Sequence, residues 1–256
     1  FIAAAAVLPD SADPWKVLCK STAGIKSIPA CSVCTLAATA SEWNNGGVIS
    51  RRETGDKVGI FFENGYFVRS ILDPKYTLTV PKNQTSNGLY DSFCHVCEQY
   101  ITATFNPIMD RMSEGLLKSI IEVAPKLMND LNNLEHRAVA MQTSSFALNQ
   151  YIGLGAGQCW GTHNIGHSLT AKYNMDHGMT LSIVQPQLWR QFFDVKKMKL
   201  AQMAVRVYGA DFAGVDDLAR YAIEKTEEFS RIIDLKLKIK DVVPEKNVSK
   251  AIKEIT

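Results

Sequence analysis

The spacing of apolar positions changes near residue 81. Before it, short runs rich in Val, Ile, Phe and Cys (IPACSVCTL, GVISRRETGDKVGIFF, YFVRSILDP) are bounded by Gly, Asp, Asn and Pro. Runs of that kind predict strands, and TGDK between two of them predicts a hairpin turn. After TVPKNQTSNG the residues Leu, Ile, Met and Ala recur at three- and four-residue steps. They do so through NGLYDSFCHVCEQYIT, PIMDRMSEGLLKSIIEVAPKLMNDL, EHRAVAMQTSSFALNQYIG, LSIVQPQLWRQFF, KLAQMAVRVYG and DDLARYAIEKTEEFSRI. Each stretch lays one apolar stripe along a helix. The pattern predicts a partial α/β domain over residues 1–80 and an all-helical domain over residues 81–256.

Both ends read as cuts. FIAAAAVLPD has no initiating Met and no basic flank of a signal peptide, and it reads as the middle of a helix. KAIKEIT stops inside a helical pattern without a cap. The sequence is therefore expected to be an excerpt of a longer protein.

Composition narrows the class. A chain of 256 residues with 46% apolar and 21% charged residues has the make-up of a globular protein with a sizeable core. Lys and Arg total 28 against 26 for Asp and Glu, so no basic field points to nucleic acid or an anionic membrane. No apolar run approaches the roughly 20 residues that span a bilayer. Six cysteines include two CxxC pairs, Cys31/Cys34 and Cys94/Cys97. Their neighbours are apolar, whereas zinc-binding pairs sit on polar turns. They are expected to be buried reduced thiols, which predicts a cytoplasmic protein and makes the sequons at Asn83 and Asn247 chance matches.

The chemistry gathers on histidine. Of five histidines, His163, His167 and His177 fall within GTHNIGHSLTAKYNMDHG. Another, His95, stands one helical turn after Asp91 in DSFCH, so that carboxylate and imidazole share a face. His163 and His167 have the same spacing, and a helix that ends near Tyr173 and folds back brings His177, in a D-H-G turn, toward its start. Two or three imidazoles with Asp91 and His95 form the N/O donor set of a divalent transition metal. The hydroxyls of Thr35, Thr39 and Ser41 follow an apolar strand and suit ligand phosphate or ribose. The glycine-rich IGLGAGQ lacks the dinucleotide-binding order and follows a helix, so it predicts close helix packing.

Taken together, KSIPACSVCTLAATASEWNNGGVIS, TGDK, LDPKYTLTVPKNQTSNGLYDSFCHVCEQY and THNIGHSLTAKYNMDHGMTLSIVQP resemble the iron-containing (group III) alcohol dehydrogenases, in particular the butanol dehydrogenase-like aldehyde reductases. The resemblance implies an α/β plus all-α fold of the dehydroquinate synthase-like kind: a Rossmann-like dinucleotide-binding domain, then a helical metal-binding domain. It implies Asp91, His95, His163 and His177 as ligands of Fe2+ or Zn2+, with His167 facing the substrate. It implies cofactor contacts from Thr35, Thr39, Asn44, Lys57 and Leu78. The family's GGGS phosphate loop belongs just before FIAAAA, and Ala40 stands where the family usually has Gly.

The function so implied is interconversion of an alcohol and an aldehyde by a homodimer, with NADP(H) expected ahead of NAD(H). The metal polarises the oxygen and His167 relays a proton. The alternatives are a catalytically inactive metal-binding helical fragment and, ranked last, a metal-dependent hydrolase.

Overall fold

In the computed structural model, which describes residues 1–20, 24–51 and 53–243, the change of spacing near residue 81 is a change of architecture. FIAAAA contributes a helix of only four residues, α1 (Ile2–Ala5). A second short helix, α2 (Pro14–Leu18), starts on a Pro, and the Asp13 carboxylate accepts the Trp15 N–H at 2.9 Å. That bond satisfies one of the amides a helix start leaves free.

The strands form two small sheets. β1 (Cys31–Val33) runs parallel to β4 (Arg69–Ile71), with Cys31 opposite Arg69. β2 (Gly46–Arg51) and β3 (Asp56–Phe61) are the two arms of the expected hairpin, in register from Gly46 opposite Phe61 to Arg51 opposite Asp56. Gly55 takes a φ of +71° in its turn, a conformation open to glycine. Ala4, Leu18, Ile60 and Phe62 are the buried centre of this half.

The helices follow: α3 (Lys82–Tyr100), α4 (Pro107–Asn129), α5 (Leu134–Ala147), α6 (Gly161–Tyr173), α7 (His177–Gln191), α8 (Phe193–Arg206) and α9 (Val215–Ile232). α3 is the axis of the bundle, and every residue from Thr85 to Tyr100 is buried. Its Tyr90 and Phe93 meet Phe229 of α9, with ring centroids 6.2 and 5.0 Å apart. α4, α5, α6 and α7 all pack against it.

Three expectations change. Cys31 is exposed rather than buried, because the outer residues of β1 face solvent. Leu154 and Gly155 of IGLGAGQ also face solvent, in a loop, so the packed part of this stretch is Ile152, in the core, and Gly153, against Gln99 and Gln158. His177 opens α7 instead of standing in a turn. The KAIKEIT end and Asn247 lie outside the described residues. Among the described residues, no helix is long and apolar enough to cross a membrane.

Candidate active site

Asp91 and His95 lie one turn apart on α3, and the spacing does what the sequence predicts: His95 Nε2 is 3.4 Å from Asp91 Oδ1. His163 enters from the first turn of α6, its Nε2 3.3 Å from the same oxygen. α6 ends at Tyr173 with Asn174 in the left-handed region (φ +51°), which turns the chain back into α7. His177, the first residue of α7, thereby reaches Asp91 Oδ1 with its Nε2 at 3.7 Å. One carboxylate oxygen thus has three imidazoles around it. Donor atoms of Asp91, His95 and His163 all lie within 4.8 Å of one another.

Asp91, His95 and His163 are buried, and His177 sits at the rim with a quarter of its side chain exposed. Burial works against charge on Asp91, yet His95, His163 and His177 hold its carboxyl well below the usual carboxylate range. Burial pulls His95 down to about 3 and His177 to about 4, so both are neutral near pH 7. His163 goes the other way. Burial opposes its charge, but hydrogen bonds to Asp91 and Glu98 push it up to about 9. The buried Nδ1 atoms of His95 and His177 have no hydrogen-bond partner among the described residues. Neutral imidazoles with free Nε2 atoms turned on one ionised carboxylate are the donors a divalent cation requires, and the residues fit such an ion.

His167 is half-buried, its ring 4.9 Å from that of His177 and 6.1 Å from that of His163. It flanks the cluster, and burial, with His177 and Lys57 adding to it, pulls it down to about 3. Lys57 lies on β3, which packs against α6. Burial lowers the pKa of its ammonium, with Asp91 acting in the opposite sense, so β3 brings a cation up to the imidazoles.

The remaining cofactor candidates scatter over one loop and its surroundings. Thr35 and Thr39 are exposed, and Leu78 is half-buried after a 3-10 turn at Pro74–Thr77. Asn44 is buried and spends its amide inside the protein: Nδ2 donates to the carbonyls of Thr39 (3.0 Å) and Leu148 (3.1 Å), and Oδ1 accepts from Gly46 N–H. It shapes the loop and ties it to the end of α5. Ala40, in the same loop, has φ +49°, a region that costs an L-residue roughly 1–2 kcal/mol and suits glycine.

Two residues of the site escape sequence reasoning. Glu98 takes the Nδ1 side of His163, and its signal is a heptad step: Asp91, His95 and Glu98 form one stripe along α3. Asn87 braces His177. Its Oδ1 accepts the Met179 N–H at 2.7 Å and its Nδ2 donates to Asp176 at 3.3 Å and to the Asn83 carbonyl at 2.7 Å. Cys94 lies on the Glu98 side of His163, with Sγ 3.9 Å from Nδ1, and burial pushes its thiol up and keeps it protonated. All six cysteines are free.

The model of the Fe-containing alcohol dehydrogenase family, C-terminal, matches residues 85–254. The chain is 44% identical over 231 residues to the NADPH-dependent aldehyde reductase YqhD of Escherichia coli K12, a match that covers 90% of this chain and 60% of the relative. It is 41% identical over 220 residues to the probable NADH-dependent butanol dehydrogenase 1 of Bacillus subtilis, covering 85% and 57%. The crystal structure of Escherichia coli K-12 YqhD superposes with a TM-score of 0.94 at 40% identity, over 99% of this chain and 66% of that one. The chain thus spans about three fifths of the length of the curated relatives it matches.

Proposed function

The chain belongs to the Fe-containing alcohol dehydrogenase family, and on that premise we propose that the whole protein is a metal-dependent, NAD(P)-linked alcohol dehydrogenase or aldehyde reductase. The observation that carries this reading is the convergence of His95, His163 and His177 on Asp91 Oδ1. Those four side chains are assigned to one divalent ion, Fe2+ or Zn2+, since both accept N/O ligands. Bound there, the ion supplies Lewis acidity to the oxygen of a small alcohol or aldehyde.

The chain's own residues prepare the rest. Asp91 contributes the single negative charge, and the neutral imidazoles of His95 and His177 leave the centre net positive. His167, outside the ligand set and neutral near pH 7, accepts and passes on a proton at a ring nitrogen. Thr35, Thr39, Lys57 and Leu78 are assigned to the dinucleotide, with Asn44 holding the loop of Thr35 and Thr39 in shape. NADP(H) is placed ahead of NAD(H) on the likeness to the NADPH-dependent reductase. The free cysteines support a reducing, cytoplasmic setting, and a homodimer belongs to the same proposal. Glu98 spends both oxygens on imidazole or backbone N–H groups, and Asp91 turns Oδ1 to three imidazoles as the proposed anionic ligand, so neither is assigned as the general base of a hydrolase.

The test is NADPH oxidation with butyraldehyde by the full-length protein, with metal content measured beside it. His167→Ala is expected to keep the ion and lose kcat by about a hundredfold or more, the usual scale of general acid–base catalysis. His163→Ala is expected to lose both ion and activity. Equal metal content in the two variants would overturn the ligand assignment.

A further inference from the structure

Three imidazoles face Asp91, but their outer nitrogens are treated differently. The Nδ1 atoms of His95 and His177 are buried without a hydrogen-bond partner among the described residues. The Nδ1 of His163 is bonded to Oε2 of Glu98, a residue of α3 that is 4% exposed. The same carboxylate reaches the backbone of α6: Oε1 accepts the Thr162 N–H at 2.7 Å and Oε2 the His163 N–H at 3.3 Å. Thr162 and His163 are the second and third residues of α6, whose own preceding residue, Trp160, provides no side-chain cap. Their amides belong to the group that a helix start leaves unsatisfied. A carboxylate there also meets the positive end of the helix dipole.

We propose that Glu98 is the positioning residue of the metal centre, which fixes His163 through backbone and imidazole together. The inference rests on the metal assignment above. A carboxylate accepts hydrogen bonds and donates none, so Glu98 requires a proton of His163 on Nδ1, and Nε2, turned to Asp91, is the nitrogen left to exchange its proton for the ion. Because the same group holds the amides at the start of α6, the imidazole cannot rotate without the first turn moving with it. Outer hydrogen bonds of this kind orient a ligating imidazole and raise its basicity. His163 is thus the anchored ligand of the set, and His95 and His177 adapt to it.

Glu98→Gln separates positioning from simple capping. A glutamine oxygen can still accept an α6 amide, but its NH2 group then confronts the Nδ1 proton, and the imidazole loses its acceptor. The measurements are Zn2+ release from the loaded full-length protein into excess chelator, and the nitrogen-bound imidazole protons of the loaded protein by NMR. Wild type is expected to show a strongly deshielded Nδ1 proton on His163. The Gln variant is expected to lose that resonance and release the ion about 10- to 100-fold faster, the usual effect of removing such a partner. An unchanged release rate, or a wild-type His163 without a proton on Nδ1, overturns the positioning role. Since the second result comes from wild type, it stands even where the variant does not fold. His163→Ala separates the two levels. If wild type holds no ion that His163→Ala loses, the metal assignment itself fails; if it does and Glu98→Gln behaves as wild type, only the role of Glu98 fails.

Discussion

His163 lies between two carboxylates, with Asp91 at Nε2 and Glu98 at Nδ1, and a pKa pushed up to about 9 makes it an imidazolium at neutral pH. Asp91 is already ionised, and His95 and His177 are already neutral. On the proposed ligand assignment, a metal would displace the Nε2 proton of His163 and would ask no proton of Asp91, His95 or His177. The expected stoichiometry is about one proton released per ion bound at pH 7. Below the raised pKa protons compete for Nε2, so apparent affinity is expected to rise about tenfold per pH unit up to about 9 and then level off. Calorimetric titration in buffers of different ionisation enthalpy counts the proton, and a count near zero would show that His163 is neutral before the ion arrives. Much of this chemistry is legible in the sequence, because Asp91/His95 and His163/His167 are local pairs one helical turn apart. Glu98 is not, because a glutamate on a helix reads as solvated surface until α6 is docked against it. Asn87 is hidden for the same reason, its partners being the start of α7.

α3 shows why the pattern of apolar positions falls short at the scale of elements. Its sequence, KNQTSNGLYDSFCHVCEQY, carries many polar residues and suggests a helix with one wet face, yet it is buried from Thr85 to Tyr100. The polar side chains are accommodated because they are paired, some across helices and some within α3 itself. Tyr90 donates to Gln185 at 2.9 Å, Gln99 to the Ala147 carbonyl at 2.8 Å, and Ser92 to its own Gly88 carbonyl at 2.9 Å. Buried polar groups are tolerated on those terms. Helix existence is legible from three- and four-residue spacing; helix position is not, because partners supplied by other elements decide it. Close approach also depends on glycine. A Cβ on Gly178 would stand 2.3 Å from the Asn87 carbonyl oxygen, and one on Gly88 2.3 Å from that of Ala37. Gly178→Ala must push the start of α7, with His177, away from α3. The expected result is a loss of about 1–3 kcal/mol, the usual cost of overpacking, together with weaker metal retention. Gly115, in α4, has nothing within 4 Å of its would-be Cβ. Gly115→Ala is expected to stabilise by roughly 0.5–1 kcal/mol through helix propensity alone. Thermal unfolding of the pair compares them directly, and a Gly178→Ala protein as stable as wild type would remove the steric argument.

The two halves of the molecule are unequally held. The helical half has a continuous buried core that runs from Leu89 on α3 through Leu117, Trp189 and Leu200 to Leu235. The strand half centres on Ala4, Leu18, Ile60 and Phe62. Its two-stranded sheets leave Val33, Val48, Phe61 and Ile71 between 47% and 66% exposed. Sheets of two strands are marginal by themselves, and opening free energy follows the buried apolar contacts an element makes. The proposed ligands Asp91, His95 and His163 therefore stand on the half with the larger buried core. Lys57 and the loop with Thr35, Thr39 and Asn44, assigned to the dinucleotide, stand on the half that opens more readily. Native-state hydrogen exchange on these 256 residues checks it. Hairpin amides bonded between β2 and β3 are expected to exchange at least about a hundredfold faster than α3 amides around Phe93 and Val96, an opening difference of nearly 3 kcal/mol. Equal protection in the two places would mean that hairpin and bundle open as one cooperative unit.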